Sequence, residues 1–565
     1  MKRFLWLGCV LFFYLICSGC GDTFRPIILP NPPTFPNPAA THTVVSINDN
    51  GAVVQGSAMV IDVSGDSVAG LPNVDVHPVH AVQQSGSAVL VLNQAVTGTG
   101  TATSPCLATV NQQVVEVCPS LTLLNFFGTS VNTSSIVLPV YSSPNFVAVA
   151  PSAATAYVTL PTYLSPTPPG TTIAPSVAAI NTTTKAATII PVGSTPAANP
   201  YALAVTPDNS KLYVANKGDG TIDAFNTQDL STRGINGSLS SPPIWLSARS
   251  DSQAVYVLET NGTLDYISIT SSSGSDTLLP STVSTPGATY MVYDGNKNKL
   301  YIPWLNQSVS PAQGELTIVD VSQSVPQQLA TIVIPAFTSP GISGSVPAIA
   351  SAVTVLPDES QAYVGSYAML PTNISITSVS GASGTGTFAY TQTSGQTLIP
   401  GMSITVTGTD VPNVVDFDGT YIVSAIVSGT TACPGTCFQA PTATSGTWPP
   451  QGTTGPASGT GNNIFPQVTV VNLLSNTIAV PAIVIPGFAA YDAFCATTRF
   501  RLTMAAAGDS SRAYLASCDG GMVNIILTAT ESYIENQPAP ASTRNTSPPG
   551  PQNFPQNPVF LLAGP

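Results

Sequence analysis

Along most of the chain, apolar residues alternate with polar ones or gather in short runs that stop at Gly, Pro, Asn or Asp. A period of two with such punctuation predicts short strands joined by tight turns, not helices. One phrase recurs: Ala156-Tyr157-Val158, Leu212-Tyr213-Val214, Val255-Tyr256-Val257, Leu300-Tyr301-Ile302, Ala362-Tyr363-Val364 and Ala513-Tyr514-Leu515, with Ala88-Val89-Leu90 as a degenerate copy. Upstream of each lies an apolar strand ending in a polar turn, as in Thr206-Pro207-Asp208-Asn209-Ser210 and Leu356-Pro357-Asp358-Glu359-Ser360. Pro and Asp preset such a reversal. Downstream come a glycine turn and a third strand, as in Gly218-Asp219-Gly220-Thr221-Ile222 and Asn261-Gly262-Thr263-Leu264, both hairpin signals. A fourth strand follows, as in Ala187-Thr188-Ile189-Ile190-Pro191-Val192 and Ala330-Thr331-Ile332-Val333-Ile334-Pro335.

Four antiparallel strands recurring every 40 to 60 residues or so predict an all-β fold, a β-propeller of four-stranded blades. Third strands centred near Leu123, Ala178, Ala224, Tyr266, Ile318, Val470 and Ile525 mark seven in-line blades. Residues 43–71 supply what look like the second to fourth strands of one more. The final apolar run, Val559-Phe560-Leu561-Leu562, could be its missing first strand, pairing the two ends of the chain and removing both sheet edges. Counted by strands, the blades are therefore eight.

The phrase Ala204-Val205-Thr206-Pro207-Asp208-Asn209-Ser210-Lys211-Leu212-Tyr213-Val214-Ala215-Asn216, followed by Gly218-Asp219-Gly220-Thr221-Ile222, resembles the YVTN-type β-propeller repeat family of exported proteins. The resemblance is close in that blade, recognisable in about five others, and implies a propeller over most of residues 42–565. Seven blades are commoner in that family, so seven and eight both stand at this level.

Residues 372–462, rich in Thr, Ser and Gly, interrupt the sixth blade between its second and third strands. Alternating stretches such as Ser403-Ile404-Thr405-Val406-Thr407 predict a small inserted β-sandwich-like module. Residues 42–371 and 463–565 are then the two parts of the propeller. A second insertion is expected near residues 95–119.

At the N-terminus, Lys2 and Arg3 precede thirteen apolar residues from Phe4 to Ile16, an export signal too short to span a membrane. Ser18-Gly19-Cys20 resembles the lipobox of bacterial lipoproteins, although Cys17 stands where that family has Leu. The resemblance implies a signal peptide at residues 1–19 and acylation of Cys20; an ordinary secretory signal cut near Gly19 is the other reading. Six prolines between Gly21 and Thr41 make residues 20–41 an extended tether. The neutral Gly21 after Cys20 favours the outer membrane, by resemblance to lipoprotein sorting rules.

Six cysteines lie beyond Cys20 in three local couples, Cys106 with Cys118, Cys433 with Cys437, and Cys495 with Cys518. An even number in an exported chain reads as disulfides. The spacing of Cys433-Pro-Gly-Thr-Cys437 does not suit a redox pair.

Charge narrows the functional classes. Among 565 residues only 14 are Lys or Arg and 27 are Asp or Glu, a net charge of −13. That balance repels phosphate backbones and excludes nucleic-acid binding. The three histidines are His42, His77 and His80. On a strand, His77 and His80 point to opposite faces and cannot chelate one ion without a bulge. Asp208, Asp251, Asp294, Asp358 and Asp509 recur at equivalent turns and read as turn caps. The repeated tyrosines read as packing groups between blades.

With so few titratable groups, the expected function is that of a monomeric, non-catalytic cell-envelope lipoprotein. It is held to the membrane by its N-terminal lipid, and its propeller or inserted module binds a protein or glycan without metal or cofactor. The alternative is a propeller enzyme of lactonase or quinoprotein type, with metal or cofactor in the central channel. Three or more Asp, Glu, Asn or His side chains converging on the axis would favour it.

Overall fold

The computed structural model describes residues 43–564 except 52–53, 86, 95–106, 111–112, 117–118, 128–129, 139–141, 162, 165–171, 271–273, 324, 339–344, 410–415, 431–432, 450–456, 488 and 543–554. Cys20, His42, Cys106 and Cys118 lie outside the described residues.

The chain is a β-propeller with seven in-line blades. Each contributes four antiparallel strands in sequence order, the first innermost, as in Pro200–Val205, Lys211–Asn216, Thr221–Asn226 and Thr232–Arg233 of the third blade. The second strands are the most deeply buried, as in Lys211–Asn216 and Ala254–Glu259, because neighbouring blades cover both their faces. The outer strands alternate; Ser130–Val137, for example, exposes every other residue or more.

The ring closes through an additional five-stranded sheet built from both ends of the described chain. Asn557–Ala563 is innermost and pairs with Thr43–Asp49, which pairs with Gln55–Asp62; Ser67–Gly70 and Asn73–Val76 share the outer edge. The sequence-based assignment of a first strand at Val559–Leu562 therefore holds, in the register Val45 opposite Leu562 and Ile47 opposite Phe560. One side of this sheet packs Val44, Met59 and Ile61 on Ala505, Tyr514 and Val523 of the seventh blade. The other packs Val45, Ile47 and Val60 on Val89, Val91 and Leu124 of the first.

The closing joint reuses the polar latch of an in-line joint. Between the third and fourth blades, Tyr213 donates its hydroxyl to Asp276 at 2.7 Å and Lys211 reaches the same carboxylate at 3.2 Å. Between the seventh blade and the closing sheet, Tyr514 and Arg512 do the same to Asp66, at 3.2 and 2.9 Å.

In the sixth blade, the second strand, Gln361–Ala382, and the third, Ala457–Asn472, run without a break from the ring into the insertion. Their register is continuous from Gln361 opposite Asn472 to Ile376 opposite Ala457. Pro371 and Asn462, beside the boundaries read from the sequence, face each other in mid-ladder. Beyond them, further strands enclose Phe388, Phe417, Tyr421, Phe438 and Trp448. Phe388 and Phe438 stack at 4.5 Å between ring centroids.

Because strands alternate in direction, each blade turns at one end between strands one and two and between three and four. At the other end lie the links from strand two to three and from strand four to the next blade. Hence the strand ends that flank 95–119, 162–175, 485–501 and 539–556, and the strands that run on into the 372–462 insertion, all lie at one face. We call this the loop face and its opposite the turn face.

Candidate functional site

The inner strands carry the axis, and their loop-face ends carry aromatic residues. His80 from the first blade stacks on Phe146 at 4.3 Å; Phe146 meets Trp245 at 5.5 Å, and Trp245 meets Tyr290 at 5.7 Å. Tyr290 meets Phe500 at 5.3 Å, Phe500 meets Phe560 at 5.7 Å, and Phe560 returns to His80 at 4.6 Å. The result is a closed collar of six rings from six successive or near-successive parts of the circle. Trp245 also meets Phe500 at 6.0 Å across the collar, so side chains fill the axis at this level. The sixth blade joins in through the Val353 amide, which donates to the Tyr290 hydroxyl at 2.7 Å.

Arg499, just before the inner strand of the seventh blade, lies against the collar. Its guanidinium carbon is 4.2 Å from the Tyr201 ring centroid, 4.8 Å from Phe146 and 4.9 Å from Trp245. It donates to the backbone carbonyls of Tyr201 at 2.9 Å and Ile244 at 3.2 Å. Burial pulls its pKa down to about 10. Burial, and then the Arg499 charge, hold His80 well below the ordinary imidazole value, so this histidine is neutral at pH 7.

Next to the collar is a polar cluster. Arg501 lies 3.1 Å from Asp519, whose pKa burial raises to about 6. Asp519 accepts the Asp492 amide at 2.8 Å. Asn557 of the closing strand donates to Asp492 at 3.1 Å and to the Cys518 carbonyl at 2.9 Å. Cys495 and Cys518 are disulfide-bonded, with Cα atoms 5.7 Å apart. The backbone explains this pairing. Cys518 bonds to Arg501 across the hairpin, and the short helix Ala493–Thr497, capped by Asp492, folds Cys495 back onto it. Cys433 and Cys437 are also bonded, within one strand of the insertion and with Cα atoms 6.0 Å apart.

The structure separates the two described histidines. His77 adopts a left-handed φ of 58° and its Nδ1 lies 3.2 Å from Asp49, whereas His80 is in the collar. Among the described residues, no three His, Cys, Asp or Glu side chains form a group that could hold a metal ion. The recurring aspartates cap their own turns. Asp208 accepts from the Ser210 amide at 3.0 Å, Asp358 from Ser360 at 3.0 Å and Asp509 from Ser511 at 2.9 Å. Asp251 and Asp294 do likewise with Gln253 and Asn296. The recurring tyrosines are all buried, and Tyr213, Tyr256, Tyr363 and Tyr514 have hydrogen-bonded hydroxyls. The Tyr301 hydroxyl has no hydrogen-bond partner among the described residues.

One pair of carboxylates stands out at the loop-face end of the fourth blade. Glu259 and Asp265 are both buried, and Ser240 donates to Glu259 at 2.6 Å. Burial first, and then Glu259, push the Asp265 pKa up to about 6. In the third blade the corresponding pair is Asn216 donating to Asp223 at 2.8 Å, an amide where the fourth blade has an acid.

The collar was not read from the sequence, since its members share no fixed spacing. A signal was present nonetheless: Phe146, Tyr201, Trp245, Tyr290 and Phe500 each lie within two residues of the start of an inner strand.

Fold and site define a closed β-propeller with an aromatic-filled axis and one elaborated face. No family model matches the sequence, and no curated protein does. Among solved structures, apo AztD from Citrobacter koseri is similar with a TM-score of 0.44 at 9% identity, over 92% of this chain and 96% of that one. The periplasmic gluconolactonase PpgL of Pseudomonas aeruginosa has a TM-score of 0.37 at 12% identity, over 57% of this chain and 91% of its own. Hydrazine synthase of Kuenenia stuttgartiensis gives 0.38 at 12%, over 71% and 88%. Likeness of this order carries no argument about activity or ligand.

Proposed function

We propose that this protein is a cell-envelope lipoprotein of the YVTN-repeat kind, a non-catalytic scaffold whose loop face, with the insertion at 372–462, binds an envelope protein or glycan. The observation that carries this reading is the inequality of the two faces. Turns within the blades are short, whereas the insertion and the long connections between strands of the ring leave from the loop face, where binding residues on a rigid scaffold collect. The filled axis supports binding over catalysis, because the collar presents rings and one guanidinium where a lactonase or quinoprotein reading calls for converging carboxylates or imidazoles. The two disulfides support export to an oxidising compartment. Cys20 carries the acyl chains in this reading, and residues 20–41 tether the body to the membrane.

Fractionation tests the anchor: Cys20→Ser moves the protein from the membrane to the soluble fraction, and unchanged membrane association would refute acylation. For the scaffold role, capture from envelope extracts by the full chain recovers one specific protein or glycan. Turnover in a screen of lactones, phosphoesters, sugars and alcohols, with divalent metals or quinone cofactor added, would replace binding with catalysis.

A further inference from the structure

Five arginines are described, and four of them hold a carboxylate: Arg233 that of Asp276, Arg249 of Asp251, Arg501 of Asp519 and Arg512 of Asp66. Arg499 differs. Among the described residues its hydrogen-bond partners are two backbone carbonyls, and the rest of its surroundings are rings. A guanidinium has five N–H donors in one plane. Ring faces attract its charge but do not accept those in-plane hydrogens in the way a carboxylate does. Nε is buried and has no hydrogen-bond partner among the described residues. A second cation is at hand, since Lys217 Nζ lies 4.5 Å from the centroid of the same Tyr201 ring. Arg499, Lys217, Tyr201 and Trp245 all keep part of their surface open to solvent, so a ligand can reach them from the loop face.

We propose that this axial mouth binds an organic carboxylate carrying a flat, apolar body. The carboxylate meets Arg499, the charge of Lys217 on the same Tyr201 ring adds to its attraction, and the body lies against the exposed part of Trp245. Each half of the site selects for one half of the ligand. A guanidinium and an ammonium that share one tyrosine ring, in a chain this acidic and with no carboxylate bonded to either among the described residues, select a small anion. Walls of indole and phenol reward a planar ring and give little to a fully hydrated ion. A guanidinium fork fits phosphate as well as carboxylate, and it is the rings facing this mouth that favour the aromatic carboxylate. The inference goes beyond the scaffold reading and does not depend on what the insertion binds.

Calorimetric titration of the full chain tests it, with benzoate and phenylacetate as probes and benzyl alcohol, acetate and inorganic phosphate as comparators. The expected result is one saturable site for an aromatic carboxylate, with benzyl alcohol and acetate each at least about tenfold weaker because each lacks one half of the recognition. Arg499→Lys keeps the charge and loses the fork, and lowers affinity about tenfold. Lys217→Gln, at a half-exposed position, lowers it about threefold and keeps the test readable if the Arg499 variant does not fold. The proposal is overturned if neither aromatic carboxylate binds, if Lys217→Gln and a folded Arg499→Lys both bind as the parent does, or if phosphate binds as tightly as benzoate. Failure to capture an envelope partner would leave this titration unaffected.

Discussion

The two faces of this propeller are built by different rules. On the turn face the third to seventh blades solve the same problem with the same local device: an aspartate accepts the amide two residues ahead, within its own turn. Neighbouring turns then link sideways, as Ser252 accepts the Asp208 amide at 2.9 Å and Ser510 the Asp358 amide at 3.0 Å. On the loop face almost nothing repeats. Partners are distant in sequence: Ser57 donates to Gln556 at 2.7 Å, Asn557 to Asp492 at 3.1 Å, and Arg499 to the Tyr201 carbonyl at 2.9 Å. The difference shows how a repeat fold divides its labour. The repeated end makes each blade interchangeable, and the unrepeated end makes this ring specific.

Removing the closing strand breaks the comparison most severely, because it strips the loop face of Asn557 and opens the ring for both faces at once. A chain ending at Pro551 is expected to lose about 5 kcal/mol or more, a large part of a typical domain's stability, and to associate through the freed edge of Thr43–Asp49. Thermal melts with sedimentation velocity check this; a melt like that of the full chain would refute closure.

A smaller effect separates two blades on the loop face itself. Glu259→Gln converts the Glu259–Asp265 pair into the amide–acid arrangement of Asn216 and Asp223. Because the folded pKa of Asp265 is raised to about 6, the native state holds its proton more tightly than the unfolded chain. The pair therefore costs no stability below pH 4 or so, and the penalty grows to its full size above about pH 6. The variant should gain about 1 kcal/mol at pH 7, with the gain gone at pH 4, as read from denaturant melts at the two values. Equal gains at both would show that the carboxylate pair is not the cause.

The smallest effect belongs to the turn face. Asp509 is exposed and bonds only within its turn, so Asp509→Ala is expected to cost about 0.5–1 kcal/mol. Asp208→Ala should cost somewhat more, since Asp208 also takes the Thr206 hydroxyl at 2.6 Å. A loss above about 2 kcal/mol at Asp509 would mean that the turns are coupled around the ring and not independent.

How much of this was legible in advance follows the same division. The strands, their turns, the recurring tyrosines and the Cys433–Cys437 couple depend on residues a few positions apart or on a repeat, and such patterns are readable directly, whereas Cys495 and Cys518, 23 positions apart, meet because the helix Ala493–Thr497 folds back. The closing strand at Asn557–Ala563 was readable for a different reason. A sheet that lacks its first strand and an apolar run that lacks a sheet are complementary deficits, and burying both edges satisfies both.

What the sequence by itself determined, then, is the blade: alternation sets the strand faces, Asp and Gly set the reversals, and repetition sets the ring. Only the tertiary structure decided what stands on the axis. His80, Phe146, Trp245, Tyr290, Phe500 and Phe560 become neighbours because ring closure brings the loop-face ends of the inner strands within about one ring's contact of one another. It also decided that the insertion continues the blade. Pro371 and Asn462 fall mid-ladder because the two strands keep hydrogen-bonding past the ring's edge. Backbone pairing extends for as long as the register is favourable, and it takes no account of where the composition changes.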